Sequence, residues 1–374
     1  MPPDFLTAPT IKERAKLATL KGTSGANTLT GATGIDSIYG YGGNDSLYGR
    51  AGNDSIWGGD GIDKMWGEAG KDTLRGENQD DHIYAGDGDD LVYGGAGNDQ
   101  LFGDGGTDKV YGDAGNDILK GGTGKAFLYG GTGNDSLYYG PTSADIGKIG
   151  GHFYDSILDG GAGTDTLHIY NSSTFGSAKT PAHTNIFMAD NAVEGFVYFS
   201  EHSGDTGVSE TALDLGQRVG KFTGIEHLTL TGKGGATYTS VWDQNPTSVT
   251  GTEADDFFSV WGAPTKSTTY KGGAGNDTFW VSVNDKIISE TNDNDLFSFR
   301  SFYDGDGNNV ATVTGFNGIG KAGGDIAQFS KDDFTNPSAQ ITRANGWTTF
   351  KMDTGDMVKI QGVGLAENLD YFIS

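Results

Sequence analysis

Gly94-Gly95-Ala96-Gly97-Asn98-Asp99-Gln100-Leu101-Phe102 is the stretch that decides the fold, because it is one copy of a nine-residue unit. Thirteen such units follow one another from Gly22 to Tyr138 without an insertion. The sixth position of the unit is Asp in eleven copies, and the eighth is aliphatic or Met in all thirteen. A short period repeated this often indicates a solenoid, in which each unit packs against its neighbours.

The unit itself predicts a very short strand and a tight turn. Side chains alternate along a strand, so position 8 should point inward while positions 7 and 9 point outward. We expect the strand to span only positions 7–9 and positions 1–6 to turn the chain, since glycine at positions 1, 2 and 4 permits left-handed backbone angles. Two units then complete a coil of 18 residues, and each unit stacks on the next but one.

The sixth positions therefore form two columns along the solenoid, with repelling carboxylates in successive coils. Such a pair repels by about 1 kcal/mol in water and by more at a lower dielectric. One aliphatic residue in each unit makes too thin a core to overcome this repulsion, so the columns predict bound cations. Column one contains Asn27, Asp45, Asp63, Asp81, Asp99, Asp117 and Asp135. Column two contains Asp36, Asp54, Asp72, Asp90, Asp108 and Ala126.

Calcium is the cation that these turns suit. It takes six to eight oxygen ligands, including carboxylates and backbone carbonyls, whereas magnesium prefers strict octahedral geometry and retained waters. A turn such as Gly94, Gly95 and Gly97 followed by Asp99 offers both kinds of oxygen. Stacked neighbours give at most eleven Ca²⁺ sites in this block, and we expect folding to be coupled to their occupation. Column two is expected to end early, at Ala126.

The repeated unit resembles that of the RTX family, Gly-Gly-x-Gly-x-Asp-x-apolar-x. The resemblance implies an all-β fold: a right-handed parallel β-roll or β-helix, stacked on calcium, with additional strand segments and a C-terminal β cap. It also implies that the column aspartates are calcium ligands. Similar units later in the chain add Asp165 and Asp277 as ligands, and a weaker copy adds Asp255 and Asp256.

The C-terminal stretches 322–329, 355–363 and 370–374 also resemble the closing β-segment of RTX proteins. The last of them, an Asp followed by apolar residues, is similar to the signal that type I secretion systems read. Residues 1–20 have no continuous apolar segment, so we expect no Sec signal peptide. Together these features imply a secreted protein, extracellular or attached to the cell surface, that the type I machinery exports from a Gram-negative bacterium.

Composition excludes several classes of protein. Acidic residues outnumber basic ones 50 to 25, which disfavours nucleic acid and anionic membranes as direct partners. The chain has no cysteine, so neither disulfides nor thiolate metal sites are available. It also has no run of 18 apolar residues that could form a transmembrane helix.

Breaks in the repeat divide the chain into five predicted segments. The N-terminal cap includes a short amphipathic helix over 11–20, although a loosely ordered tail is an alternative. Within the third segment, 222–232 alternates as a strand, whereas 171–215 fits no repeat and is expected to leave the solenoid. The segments are 1–21 (N-terminal cap), 22–140 (first RTX block), 141–250 (degenerate or inserted region), 251–310 (second RTX block) and 311–374 (C-terminal cap and secretion signal).

Position 9 is aromatic in ten units, giving one outward stripe on each face. Stripe A contains Tyr39, Trp57, Tyr93, Tyr111 and Tyr129. Stripe B contains Tyr48, Trp66, Tyr84, Phe102 and Tyr138. Arg75 and Lys120 interrupt the stripes. The rings either stabilise neighbouring strands, or bind a polysaccharide or a second copy of the roll.

The sequence predicts no enzyme. The six histidines form no His-Glu-x-x-His motif, and no Gly-x-Ser-x-Gly nucleophile motif occurs. Glu201-His202 and Glu226-His227 are isolated acid–histidine pairs. We therefore favour a structural component of a matrix, surface layer or adhesion. A secreted effector that acts on host cells or membranes, and an enzyme with an unrecognised site that acts on polysaccharide, remain as alternatives.

Overall fold

The computed structural model describes residues 18–140, 156–171, 174–175, 180–181, 183–188, 194–200, 217–232, 235–241, 246–261, 267–281, 285–289, 294–299, 310–315, 326–329, 341–351, 357–361 and 371–373. All regular structure in these ranges is β-strand. No helix in them is long and apolar enough to span a membrane.

Between Ala18, where the described part begins, and Tyr139 the chain forms thirteen strands, which follow one another at short intervals. They are β1 (Ala18–Lys21), β2 (Thr28–Thr30), β3 (Asp36–Gly42), β4 (Ser46–Ala51), β5 (Ser55–Asp60), β6 (Lys64–Ala69), β7 (Thr73–Asn78), β8 (His82–Asp87), β9 (Leu91–Ala96), β10 (Gln100–Ala114), β11 (Ile118–Lys120), β12 (Thr123–Thr132) and β13 (Ser136–Tyr139).

The following strands are less regular in length and spacing. They are β14 (Ser156–Ala162), β15 (Thr166–Asn171), β16 (Thr174–Phe175), β17 (Thr180–Pro181), β18 (His183–Met188), β19 (Glu194–Ser200), β20 (Gln217–Thr223), β21 (His227–Gly232), β22 (Ala236–Val241), β23 (Ser248–Thr250), β24 (Phe257–Trp261), β25 (Thr269–Lys271), β26 (Thr278–Val281), β27 (Lys286–Ile288), β28 (Leu296–Phe299), β29 (Val310–Thr314), β30 (Ile326–Phe329), β31 (Ile341–Ala344), β32 (Trp347–Lys351), β33 (Met357–Gln361) and β34 (Tyr371–Ile373).

Alternate strands pair in parallel and build two ladders. In the repeat block each residue pairs with the residue 18 positions later, as Leu47 does with Met65, which confirms that each unit stacks on the next but one. Ladder A consists of β1, β3, β5, β7, β9, the second half of β10, β12, β14 and β20, and it resumes with β22, β24, β26, β28, β30 and β34. Ladder B consists of β2, β4, β6, β8, the first half of β10, β11, β13, β15, β21, β23, β25, β27, β29 and β33.

Two extra strands are inserted into ladder A alone. β19 pairs antiparallel with β20 and with β18, and β18 pairs parallel with β22. Ladder B passes directly from β21 to β23, through pairs such as His227 with Ser248. At an inter-strand spacing of about 4.8 Å, the insertion lengthens ladder A by about 10 Å at this point. The solenoid is therefore longer on the ladder A side than on the ladder B side.

This insertion corrects the prediction for 171–215. That segment was expected to leave the solenoid, but its described strands β18 and β19 return to the sheet and extend it. Their lengths of six and seven residues are sufficient for full pairing with both neighbours. Outside ladder A, the two-residue strands β16 and β17 pair with each other.

The repeat strands are longer than predicted, because the sheet continues past position 9 into positions 1–3 of the next unit. In β4 the residues Ser46, Leu47 and Tyr48 are followed by Gly49, Arg50 and Ala51, all within the strand. The turn proper then occupies only positions 4–6 of the unit. At the N-terminus, Ala18–Lys21 form a strand that pairs with β3, so the predicted helix is wrong at 18–20. Residues 1–17 lie outside the described part of the chain.

The core changes character along the solenoid. Position 8 is fully buried from Ile38 to Leu137, and its side chains there are aliphatic or Met. After Leu228 and Leu230, large rings occupy the interior, and Phe258, Phe279 and Phe297 are at most 1% exposed. At the C-terminal end, β33 continues antiparallel into β32 and β31. These strands lie within the segment 311–374, for which a C-terminal cap is predicted.

Candidate metal centre

The column aspartates point into the solenoid, where one oxygen of each carboxylate binds the neighbouring coil. The backbone N–H of Asp45 donates to Oδ1 of Asp63 at 2.7 Å, and that of Asp63 donates to Oδ1 of Asp81 at 2.8 Å. The same bond links consecutive aspartates throughout both columns. Every column aspartate from Asp36 to Asp135 is at most 3% exposed. The structure therefore brings the predicted ligands together as two continuous inner columns.

The second oxygen of most of these carboxylates is buried and has no hydrogen-bond partner. A buried acceptor without a donor costs free energy, and such atoms are rare in native proteins unless an ion or a water satisfies them. Asp36 differs, since its Oδ2 accepts the Ala32 N–H at 2.6 Å. The orphaned Oδ2 atoms belong to Asp45, Asp54, Asp63, Asp72, Asp81, Asp90, Asp99, Asp108, Asp117, Asp135 and Asp165.

Burial makes these carboxylates reluctant to ionise when no cation is present. Desolvation, with a smaller contribution from neighbouring carboxylates, raises the pKa of Asp81 to about 8. The same main cause raises the pKa of Asp72 and of Asp117 to about 7. A backbone N–H bond partly offsets the rise in each case. A bound cation would supply the missing counter-charge and favour the ionised form.

Glycine at position 1 leaves a cradle of oxygens beside each carboxylate. A Cβ added to Gly49 would stand 2.7 Å from Oδ2 of Asp54 and 2.8 Å from the carbonyl oxygen of Gly67 in the next coil. The equivalent atom on Gly103 would stand 2.8 Å from Oδ2 of Asp108 and 2.8 Å from the carbonyl oxygen of Gly121. Carboxylate and carbonyl oxygens side by side are the donors that calcium prefers.

These donors fit calcium only if the backbone takes part. Within the described ranges, no group of three or more His, Cys, Asp or Glu side chains could hold a metal ion. Each coil thus contributes one carboxylate at each inner column, and carbonyl oxygens of the turns would have to supply the remaining ligands. The predicted carbonyl ligands Gly94, Gly95 and Gly97 lie in such a turn, and whether they bind calcium stays a prediction.

The turns need glycine at position 4 because the coils stack closely there. Gly97 has a φ of 150°, and a Cβ on it would collide with the carbonyl of Gln79 in the coil before. Gln79 is the non-glycine residue at this position, and it adopts a φ of 72° instead. At that angle a side chain is tolerated, since the left-handed helical region is open to polar residues. The turn at Gln79 thus differs in shape from its neighbours.

The two columns end differently. Column two stops at Asp108, because Ala126 carries no carboxylate and its N–H donates to Oγ of Ser156 at 3.2 Å. Column one continues, since the Asp135 N–H donates to Oδ1 of Asp165, and the Asp165 N–H donates to Oε2 of Glu226, each at 2.8 Å. Glu226 was missed as a member of the column because a register break of 61 residues separates it from Asp165.

Column two resumes in the second block with Asp256, Asp277 and Asp295. The Asp256 N–H donates to Oδ1 of Asp277, and the Asp277 N–H donates to Oδ1 of Asp295, both at 2.9 Å. Asp255, the other predicted ligand, lies on the outer side of the turn and accepts the Asn276 N–H. The structure thus places Asp256 in the inner column and Asp255 outside it.

Two buried aspartates of the second block were missed by the sequence reasoning. Asp295 is 1% exposed, and Asp285 is fully buried with its Oδ1 accepting the Thr268 N–H at 3.1 Å. Each follows an asparagine, and the second residue after it is apolar, as in Asn294-Asp295-Leu296-Phe297. This tetrapeptide could have identified them without the glycines.

Position 5 forms a further, exposed ladder that runs in the opposite sense. Here the side chain of one coil accepts the N–H of the next, so that Asn98 accepts from Asn116, and Asn116 accepts from Asn134, at 2.9 and 2.7 Å. Asp80 and Asp89 act in the same way. The turns are therefore held by an inner aspartate ladder and an outer one of asparagine and aspartate.

The aromatic stripes are stacks of rings, and the cationic side chains of Arg75 and Lys120 lie within these stacks. Tyr39 and Trp57 lie with ring centroids 4.5 Å apart and planes at 5°. The Arg75 guanidinium sits between Trp57 and Tyr93, at 5.9 and 4.9 Å from their centroids. On the other face, the Lys120 ammonium lies 5.2 Å from Phe102 and 5.0 Å from Tyr138. Arg75 thus continues the stack of stripe A, and Lys120 continues the stack of stripe B, rather than interrupting them.

Both members of the pair Glu226-His227 form contacts between neighbouring coils. Glu226 accepts the Asp165 N–H, while Nδ1 of His227 lies 2.8 Å from Oγ of Ser248 in the next coil. The pair Glu201-His202 lies outside the described residues.

The comparisons with known proteins agree with the geometry of the inner columns. The family model of the RTX calcium-binding nonapeptide repeat matches residues 21–56, 48–83, 57–92, 75–110, 84–119, 111–141 and 151–168. No curated protein matches the chain. The matched stretches cover the aspartates of both inner columns from Asn27 to Asp165. Residues 21–141 and 151–168 are therefore RTX calcium-binding nonapeptide repeats, and their described parts, 21–140 and 156–168, are folded as a parallel β-roll.

Proposed function

We propose that this chain is a secreted structural protein, a component of a matrix, a surface layer or an adhesion, that folds when it meets extracellular calcium. The observation that carries the proposal is the row of buried, unpartnered Oδ2 atoms along both inner columns. These oxygens destabilise the ion-free roll and would be satisfied by calcium between the coils. We expect no catalytic activity.

Coupling of folding to calcium follows from the composition of the repeat block. Its interior has one aliphatic side chain for each unit, while most units also bury a carboxylate. The glycine-rich backbone loses much conformational entropy on folding. Calcium is typically millimolar outside cells, which suits weak extracellular sites, whereas low cytosolic calcium would leave the chain unfolded.

Export in the unfolded state fits the C-terminal resemblance to a type I secretion signal. Low calcium in the cytosol would keep the chain unfolded for export, and millimolar calcium outside the cell would make it fold. A structural role is supported by the way the described chain is built. Its strands belong almost entirely to two long ladders, and the side chains of the repeat block serve to join one coil to the next.

The test is a calcium titration of the full chain, followed in parallel by circular dichroism and light scattering. We expect strand content to appear at millimolar calcium and to be lost on chelation, with magnesium at equal concentration as the matched control. Growth in particle size with calcium supports a matrix or surface-layer role. Equal strand content with calcium and with chelator would contradict calcium-coupled folding, and particles that stay monomeric would contradict self-assembly.

A further inference from the structure

The outward face of ladder B carries cations and no carboxylate in its described strands, although the chain as a whole is acidic. In the repeat block, positions 7 and 9 of ladder A lack carboxylates too, and ladder A differs through the outward Asp159 of β14. In the repeat block, positions 7 and 9 of ladder B carry no carboxylate, and neither do the outward residues of its later described strands. Instead the face bears five lysines and three histidines. They are Lys64, His82, Lys120, His168, His227, Lys271, Lys286 and Lys359.

The carboxylates nearest to this face stand at its rim. Glu68 and Asp104 follow the outward residues Trp66 and Phe102 by two positions, and both have a positive φ. On the rest of the face the neighbours of the lysines are hydroxyls, amides and rings, such as Ser136, Gln100 and Tyr84. The face therefore presents cations and hydrogen-bond donors beside an acidic rim.

The rings of stripe B cannot offer their faces to a ligand. Tyr48 and Trp66 stack at 4.6 Å and 3°, and Tyr84 and Phe102 stack at 4.6 Å and 9°. Their faces are covered by each other, so that the ring edges are what the solvent meets. The edge of an aromatic ring carries the positive part of its quadrupole. Ring edges consequently add to the attraction of the lysines for anionic groups.

Ladder B is also the uninterrupted face of the solenoid. It passes in parallel from β2 to β33, whereas ladder A contains the antiparallel insertion of β18 and β19. From β21 to β23 it adds no strand where ladder A adds two. A long ligand could therefore follow it along the whole axis.

We propose that the outward face of ladder B binds an acidic polysaccharide that runs along the solenoid axis. This inference rests on the proposed extracellular role and names its partner. The cations are sparse: three strand spacings, about 14 Å, separate Lys64 from Lys120. That density cannot neutralise the closely spaced phosphates of a nucleic acid, but it suits a polymer that has carboxylates or sulfates among many hydroxyls.

The experiment measures binding of the calcium-folded full chain to immobilised polymers by biolayer interferometry at fixed calcium and salt. Hyaluronan represents a carboxylated polysaccharide, dextran sulfate a sulfated one, dextran a neutral one and single-stranded DNA a nucleic acid. The test variant is K64Q/K271Q/K286Q, and the matched control is K21Q/K71Q/K109Q. All six lysines are exposed, and none of the control residues lies on ladder B.

We expect hyaluronan or dextran sulfate to bind, and dextran not to bind. The ladder B variant should lose affinity by about tenfold, while the control should remain within about twofold of the unmodified chain. Circular dichroism must show equal folding for all three proteins. Equal losses in both variants, tighter binding to DNA, or a folded chain that binds no acidic polysaccharide would each overturn the inference alone. A chain that does not fold with calcium would overturn the proposed function as well.

Discussion

The repeat block and the C-terminal part of the solenoid share one ladder topology but place their aromatic rings on opposite sides of the sheet. In the repeat block the aromatic rings lie outside and aliphatic side chains and carboxylates lie inside. In the C-terminal part the rings are inside, where Phe258 stacks on Phe279 at 4.8 Å and Phe279 on Phe297 at 5.2 Å. A ring buries far more apolar surface than Val or Leu. Because the C-terminal part also buries Asp256, Asp277 and Asp295 in an inner column, the comparison teaches that one backbone can combine inner carboxylates with a thin aliphatic interior in one region and with a large aromatic interior in another.

The largest expected effect is the removal of calcium, which should separate the two regions. With chelator, hydrogen exchange should become fast over residues 28–168, because the buried carboxylates lose their counter-charge. Protection should fall less in strands such as β24, β26 and β28, because their aromatic interior supports them in addition to the inner column of Asp256, Asp277 and Asp295. Hydrogen-exchange mass spectrometry with and without calcium makes the measurement. Uniform loss of protection in both regions would remove the distinction.

Truncation of a central ring should destabilise the C-terminal part most strongly among single substitutions. Phe279→Ala removes a fully buried ring between two others and should cost about 3–5 kcal/mol. Because packing is what is lost, the cost should be the same at low and high calcium. Denaturant unfolding that is probed locally by hydrogen exchange measures it. A cost that disappeared at high calcium would show that ions, rather than the packing of the rings, dominate the stability of this region.

Asp81→Asn tests the inner column against its exposed neighbour, with Asp80→Asn as the matched control. The substituted amide would keep an oxygen that can accept the Asp63 N–H, yet it would lose the charge that faces a cation. We expect a loss of about 1–3 kcal/mol in calcium-saturated stability and a higher calcium midpoint.

Asp80 is exposed and its Oδ1 accepts the Asn98 N–H, a bond that an amide oxygen can also accept. Asp80→Asn should therefore leave the calcium midpoint almost unchanged. Calcium titrations of both variants by circular dichroism give the comparison. Equal midpoints for the two variants would argue against a metal-binding role for the inner column.

The smallest expected effect concerns the outer stacks. Arg75→Ala removes the guanidinium between Trp57 and Tyr93 and should cost about 0.5–1 kcal/mol. Lys71→Ala, in the adjoining turn, removes an exposed cation with no such stacking and is the matched control. Thermal unfolding in saturating calcium compares the two. Identical melting temperatures would mean that the stack contributes no stability.

The sequence predicted the register of the repeat block well because the period is short and uninterrupted. Position 8 entered the core and the Asp columns formed as expected, since alternation along a strand leaves no other choice. The ends of the strands were less predictable. Residues such as Arg50 and Glu68 adopt positive φ within the sheet, which the glycine pattern alone did not indicate.

The second block shows why individual ligands were harder to predict. Asp255 and Asp256 are adjacent in sequence, but one belongs to the outer ladder of hydrogen bonds and the other to the inner one. In the nonapeptide register Asp256 occupies position 6 and Asp255 position 5, and the pairing of β24 with β26 shows that position 6 points inward here too. Asp285 and Asp295 lack the glycines of the full unit, so their burial depends on neighbouring coils.

The sequence by itself determined the coil of 18 residues, the two inner columns and the break of column two at Ala126, because a strict nine-residue period fixes which side chains face inward. Only the tertiary structure decided what fills ladder A after β20 and which atoms of each carboxylate are left without a partner. It also decided that the rings stack on one another and that the described strands of ladder B form an unbroken face without outward carboxylates. These features depend on contacts between residues 18 to 64 positions apart in the chain, and the nine-residue pattern does not specify such contacts.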